Sequence, residues 1–324
     1  MTTTRLALVT GATGAVGPAL VRHLLQSGYT VRVYARKAPT AGLFPAEVAY
    51  SQGDIADQEA LARALKGVDL VFHLAALLHI ENPSPEMAAL YRTVNVDGTR
   101  NVLALSIQAG VKRFIYFSTV KVYGLQQLTP VTEDTAPQPE TFYAQTKFQA
   151  EQAVLETREI ETVVLRLSAV YGPRLRGSWE RMVKAIARGW FRPIGALRNR
   201  RSLTYVDDVA IAARFVAEHP DTAGRIYNVV GHESVTMHEI LTAIYQALGK
   251  PMPRLSVPAF LAVSGAFILE KALRLSGKRS PLTVDTIRQI VDDEVYSGER
   301  LRQLGMTYTP LNVGWKTTIE AINR

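Results

Sequence analysis

Val9-Thr10-Gly11-Ala12-Thr13-Gly14-Ala15-Val16-Gly17 is the stretch on which the reading of this chain turns. It follows an apolar run, residues 5–10, that reads as a strand. It opens a segment in which Leu20, Val21, Leu24 and Leu25 recur at helical spacing until Gly28. A strand, a glycine turn and a helix in that order bring backbone N–H groups and the positive helix end together, which suits a pyrophosphate. Gly11 permits the tight turn, Gly14 lets phosphate approach the backbone, and Gly17 lets helix and strand pack closely; Thr13, Ala15 and Val16 complete the turn. A glycine-rich loop alone carries little. Its place at the first strand–helix junction of an alternating chain is what points to a dinucleotide.

That alternation continues. Strands are expected at residues 30–34, 47–51, 70–74, 114–118 and 161–167, and helices at 57–66, 85–110 and 142–158. Such a series implies an α/β, doubly wound parallel sheet covered by helices on both faces, over residues 1–170. Beyond residue 170 the alternation loosens, and Pro173, Pro193, Pro251, Pro253, Pro258, Pro281 and Pro310 punctuate shorter segments. Residues 171–324 therefore read as a smaller, mixed substrate lobe interleaved with late elements of the sheet.

The 324 residues are 47% hydrophobic and 20% charged, which excludes disordered and low-complexity classes. With no cysteine there is no disulfide framework, thiolate metal site or cysteine nucleophile, and a reducing compartment suits the chain. No secretory cleavage pattern follows Met1, so a cytoplasmic location is expected. The six histidines show no paired ligand spacing, so no metal is expected. The net charge of +8 is local: residues 174–201 hold nine basic residues and one acid, and the rest balances. Nucleic acid would want a broader stripe, so it is not an expected partner. A patch with Trp179, Trp190 and Phe191 available to stack a base suits a nucleotide diphosphate. The apolar run 257–269 is too short to span a bilayer. Lys271, Arg274, Lys278 and Arg279 follow it, leaving an amphipathic helix or a weak membrane-surface contact open.

Tyr143-Ala144-Gln145-Thr146-Lys147 sets Tyr143 and Lys147 on one helix face. Tyrosine, with a pKa near ~10, is a poor base at neutral pH, and each unit of lowering takes ~1.4 kcal/mol. A lysine ammonium and the positive nicotinamide ring of an oxidised cofactor would together supply it. Tyr143 would then take or return the substrate hydroxyl proton. Near the end of the second expected strand, an acid would favour NAD; Ala35-Arg36-Lys37 stands there instead, and Arg36 favours NADP(H).

The GxxGxxG spacing, with Gly53-Asp54-Ile55, His73-Leu74-Ala75-Ala76, Asn95 and the Tyr143/Lys147 pair, resembles the extended short-chain dehydrogenase/reductase family and its epimerase/dehydratase branch. The resemblance covers nearly the whole chain. It implies a Rossmann fold and NAD(P), with Asp54 and Ile55 on the adenine, Ala75 and Ala76 beside the cofactor, and Asn95 buttressing the active-site strand. Ser118 and Tyr171 would also face the cofactor, and Lys147 would bond the nicotinamide ribose. Counting back from Tyr123-Gly124, Thr119 takes the Ser/Thr position that holds the substrate oxygen, completing a Thr119/Tyr143/Lys147 triad. Arg201 would grip a substrate diphosphate, and a homodimer through helices 85–110 and 142–158 is usual in such proteins.

Two departures narrow the reaction. Val120 and Lys121 replace the Asp-Glu pair of sugar dehydratases, which argues against elimination, and Ala169 replaces an Asn common in galactose-type 4-epimerases. The resemblance then implies oxidoreduction at C4 of a UDP-sugar, as 4-epimerase or 4-ketoreductase. A hydroxysteroid- or dihydroflavonol-type alcohol dehydrogenase is the alternative, since residues 257–283 resemble the apolar lobe of sterol-dehydrogenase-like members. A silent dinucleotide sensor is the third reading.

Overall fold

The computed structural model describes residues 5–78, 85–125, 130–174, 177–275 and 292–322. Seven strands form one parallel sheet in the order β3-β2-β1-β4-β5-β6-β9. These are β1 (Leu6–Thr10), β2 (Thr30–Ala35), β3 (Ala49–Gln52), β4 (Leu70–His73), β5 (Arg113–Thr119), β6 (Glu161–Leu167) and β9 (Arg225–Val229). A smaller sheet runs β10-β8-β7, from β7 (Ala169–Tyr171), β8 (Arg200–Tyr205) and β10 (His232–Thr236), with β8 and β10 antiparallel.

The strands read clearly from sequence because a parallel sheet buries both faces, so its central members are unbroken apolar runs. Every residue of β5 is buried, and one core cluster joins Val71, Phe114, Tyr116 and Val164 to Leu61, Val102 and Val154 on the helices. At the edge, β3 is mostly exposed and starts two residues later than expected, because Val48 N closes a turn onto Pro45 O at 3.1 Å.

Two compact units divide the chain. One comprises 1–170, 204–231 and 296–308, so the sheet recovers β9 and the helix α7 (Val206–Glu218) from the second half of the sequence. The other comprises 171–203, 232–295 and 309–324.

The order of strands reverses between β1 and β4, and in open α/β sheets ligands bind beyond the carboxyl ends of the strands at such a point. Parallel pairing brings Thr10 level with His73, and His73 level with Tyr116. Gly11, Leu74 and Thr119 consequently leave or finish their strands at the same edge.

The helix expected over 85–110 is α3 (Pro85–Tyr91) and α4 (Gly98–Gln108) joined by a π-helical turn, Arg92–Asp97. Such a turn carries an extra residue and is frequent at functional sites. Asn95 sits in it, buried.

Candidate active site

The glycine turn is built as a cradle. Gly11 has φ +68°, and a Cβ there would lie 2.6 Å from Ala75 N. At Gly17 a Cβ would meet Ala12 O at 2.0 Å, so the helix α1 (Gly17–Gln26) can begin where it does only without a side chain. Gly14 N donates to Gly11 O at 3.0 Å, and beyond that oxygen nothing lies within 4 Å of a Cβ built on Gly14. No side chain caps α1 and no acid occupies its first turn. In contrast, Asp57 caps α2 (Gln58–Leu65) and Thr141 caps α5 (Phe142–Glu156). An uncapped helix end above an open glycine fits a pyrophosphate.

Beneath the turn runs a buried polar chain. Thr10 Oγ1 is 2.7 Å from His73 Nδ1, and Ala75 N donates to the same hydroxyl at 3.3 Å. His73 Nε2 is 3.0 Å from Thr99 Oγ1, which donates to Asn95 O at 2.7 Å. Burial, with the Lys147 charge nearby, lowers the His73 pKa to about 3, so the ring stays neutral. Asn95 holds the segment after β4 to α5: its Oδ1 accepts from Leu77 N at 2.7 Å, and its Nδ2 donates to Leu77 O at 3.2 Å and Thr146 Oγ1 at 3.1 Å. The buttress thus reaches α5 between Tyr143 and Lys147. It does not touch β5 directly through these bonds.

After β3, Asp57 takes the cap of α2, and the Asp54 carboxylate accepts from Ala56 N at 3.0 Å. Arg36 is exposed with its Nε 4.0 Å from Asp54 Oδ2. Ile55 packs at the core margin, its Cδ1 2.4 Å from where a Gly98 Cβ would stand.

The Thr141 cap fixes the start of α5, so Tyr143 is its second residue and Lys147 follows one turn later. Thr119 ends β5 and hydrogen-bonds the Tyr143 hydroxyl. Its Oγ1 also accepts from Lys121 N at 3.2 Å. Sequence reasoning expected a lowered Tyr143 pKa. The protein's own surroundings instead raise it to about 12, because burial outweighs the help from Thr119.

Lys147 is buried, with Nζ donating to Phe117 O at 2.6 Å and lying 4.1 Å from the centroid of the Tyr116 ring. Burial lowers its pKa to about 7, and Glu151 opposes that fall. Glu151 was not singled out by sequence reasoning. It forms a fully buried ion pair with Arg166 and accepts from Ser118 Oγ at 2.7 Å. The hydroxyl hydrogen of Ser118, a residue expected at the cofactor, goes to Glu151. The signal available was spacing: Tyr143, Lys147 and Glu151 recur every four residues along α5.

Tyr171 and Arg201 belong to the other unit. Tyr171 is buried, stacked on Trp315 with ring centroids 4.6 Å apart. Arg201 Nη1 pairs with Glu294 Oε2 at 2.6 Å. Among the described residues no three His, Asp or Glu side chains gather as a metal site, and no helix is long and apolar enough to cross a membrane.

Residues 7–230 match the NAD dependent epimerase/dehydratase family. The chain is 30% identical over 275 residues to an Escherichia coli O157:H7 N-acetyl-alpha-D-glucosaminyl-diphospho-ditrans,octacis-undecaprenol 4-epimerase, covering 83% of this chain and 82% of that one. It is 30% identical over 314 residues to a putative dihydroflavonol 4-reductase of Synechocystis, 92% and 89% of the two chains. The solved structure of MoeE5 with UDP-glucose and NAD superposes with a TM-score of 0.76 at 28% identity, over 98% of each chain. A seven-stranded parallel sheet, a glycine turn at its switch point and these relatives agree: the chain is an enzyme of the NAD-dependent epimerase/dehydratase family, within the extended short-chain dehydrogenases/reductases.

Proposed function

We propose that this enzyme carries out oxidoreduction at C4 of a nucleotide-linked sugar, as a 4-epimerase or 4-ketoreductase. The observation that carries the reading is the hydrogen bond between Thr119 and Tyr143, with Lys147 buried one turn further along α5. Thr119 holds the substrate oxygen, and Tyr143 removes its proton or returns it. Lys147, whose Nζ donates to Phe117 O at the end of β5, would hydrogen-bond the nicotinamide ribose. NAD(P), held at the glycine turn, would supply the hydride chemistry. Gly11, Thr13, Gly14, Ala15, Val16 and Gly17 hold the pyrophosphate, Asp54 and Ile55 the adenine, and Ala75 and Ala76 the wall beside it.

The basic segment 174–201 supports a diphosphate, with Arg201 contacting it, and the relative bound to UDP-glucose supports a uridine nucleotide. For Arg201 this role means sharing its guanidinium with Glu294. Exposed Arg36 beside Asp54 supports use of NADP(H) alongside NAD. Leu90 and Phe142, both exposed on the two helices named for dimerisation, support a homodimer.

The test is incubation of the purified protein with a panel of UDP-sugars, following products by anomeric NMR signals. A 4-epimer formed without net cofactor use is the epimerase outcome, and a reduced product with stoichiometric NAD(P)H loss is the reductase outcome. Turnover of a sterol or dihydroflavonol with no conversion of any UDP-sugar overturns the proposal.

A further inference from the structure

We propose that the unit containing residues 171–203 and 232–295 docks on the surface of an anionic lipid bilayer through the helix α9 (Ala259–Leu275) and the adjoining loops. A helix on a water-soluble surface turns its apolar stripe inward. In α9 the reverse holds: Phe260 is 68% exposed, Leu261 52% and Phe267 51%. Among its described side chains only Ala266 is buried, and residues 259–269 carry no charge at all.

The surface extends beyond one helix. Leu255, just before it, is 84% exposed. Val257 N donates to Pro193 O and Gly195 N donates to Val257 O, each at 2.8 Å, which ties the approach to α9 to the loop that carries Trp190. Trp190 is 76% exposed. Exposed aromatics of this kind suit the headgroup level of a bilayer, where one part of the ring meets acyl chains and the rest meets water.

Charge decides which occupant fits. The Arg188 guanidinium lies 5.5 Å from the Trp190 ring centroid, and Lys271 Nζ lies 5.0 Å from that of Phe267. Arg192 and Arg254 are exposed on the same two segments. Cations interleaved with apolar side chains meet anionic headgroups while their stems cover acyl chains. A second copy would instead set this cationic surface against its like. Among the described residues no helix is long and apolar enough to span, so α9 lies along the interface. The inference goes beyond the proposed reaction and does not depend on it, because the readout below needs no turnover.

The test floats the 324-residue protein with phosphatidylcholine vesicles, with and without phosphatidylglycerol. The expected result is flotation with the anionic vesicles, at least about tenfold weaker with neutral vesicles or in high salt. The double variant Phe260→Ser/Phe267→Ser and the double variant Arg188→Glu/Lys271→Glu should each lose flotation while keeping the wild-type melting temperature. Wild-type protein that stays unbound in the presence of anionic vesicles overturns the proposal whatever the variants do. So does a light-scattering result in which Phe260→Ser/Phe267→Ser turns a dimer into a monomer while wild-type protein ignores vesicles, since the face would then belong to a second copy.

Discussion

Glu151 stands one helical turn beyond Lys147, and its carboxylate opposes the burial that would otherwise strip the lysine of its proton. The carboxylate is itself held by Arg166 and Ser118. A carboxylate outside the glycine turn thus works against the burial that lowers the Lys147 pKa.

Glu151→Gln should move the alkaline limb of the kcat/KM profile to lower pH, because Lys147 then loses its proton sooner. The single variant leaves Arg166 buried and unpaired, at a cost of about 3–5 kcal/mol. Glu151→Gln/Arg166→Met removes both charges and should recover stability while the limb stays displaced. A limb at the wild-type position in the double variant would show that Glu151 only fills space.

Tyr143→Phe should lower turnover by about 10²–10⁴-fold and leave the dissociation constant of the cofactor nearly unchanged. Isothermal titration and steady-state rates on one preparation check both. A sensor would show no change in its output.

Gly17→Ala should cost at least about 1–3 kcal/mol, since backbone would have to give way to the new methyl. The Cβ would sit 2.0 Å from Ala12 O and 2.4 Å from Ala12 C. A lowered melting temperature together with loss of cofactor retention through dialysis is the expected pair of results.

His73 gives a pH signature. Its pKa is depressed from 6.5 to about 3, so the unfolded chain binds a proton that the native protein refuses. The stability this contributes is complete above pH 6.5 and is lost as pH falls from there through 3, by an amount on the order of a few kcal/mol. Denaturant titrations of wild type and His73→Gln should show a flatter acid dependence in the variant.

Arg36→Asp should raise the KM for NADPH by about tenfold or more and spare NADH, because it puts a carboxylate where the extra phosphate would lie. Equal effects on both cofactors would remove Arg36 from cofactor selection.

The fold was legible because interior parallel strands such as β5 and β6 are continuous apolar runs, and because the glycine turn leaves no room for a Cβ at Gly11, against Ala75 N, or at Gly17, against Ala12 O. The Tyr143/Lys147 spacing was legible for a similar reason: residues four apart share a helix face. What escaped was long-range pairing. Nothing local in Arg166 announces that its partner lies 15 residues away on another element. The raised Tyr143 pKa escaped as well, since desolvation is a property of the packed surroundings and not of a motif.

The π-turn at Arg92–Asp97 has a consequence for the register of everything around it. At roughly 100° per residue, one extra residue turns α4 about a quarter revolution relative to α3. The long helix is thus two cogs cut out of phase: α3 meshes with α5, while α4 also meshes with α2 on the sheet's flank. The offset tooth carries Asn95, so losing a single residue there would leave both halves helical and still break the linkage between the β4 exit and the Tyr143 helix.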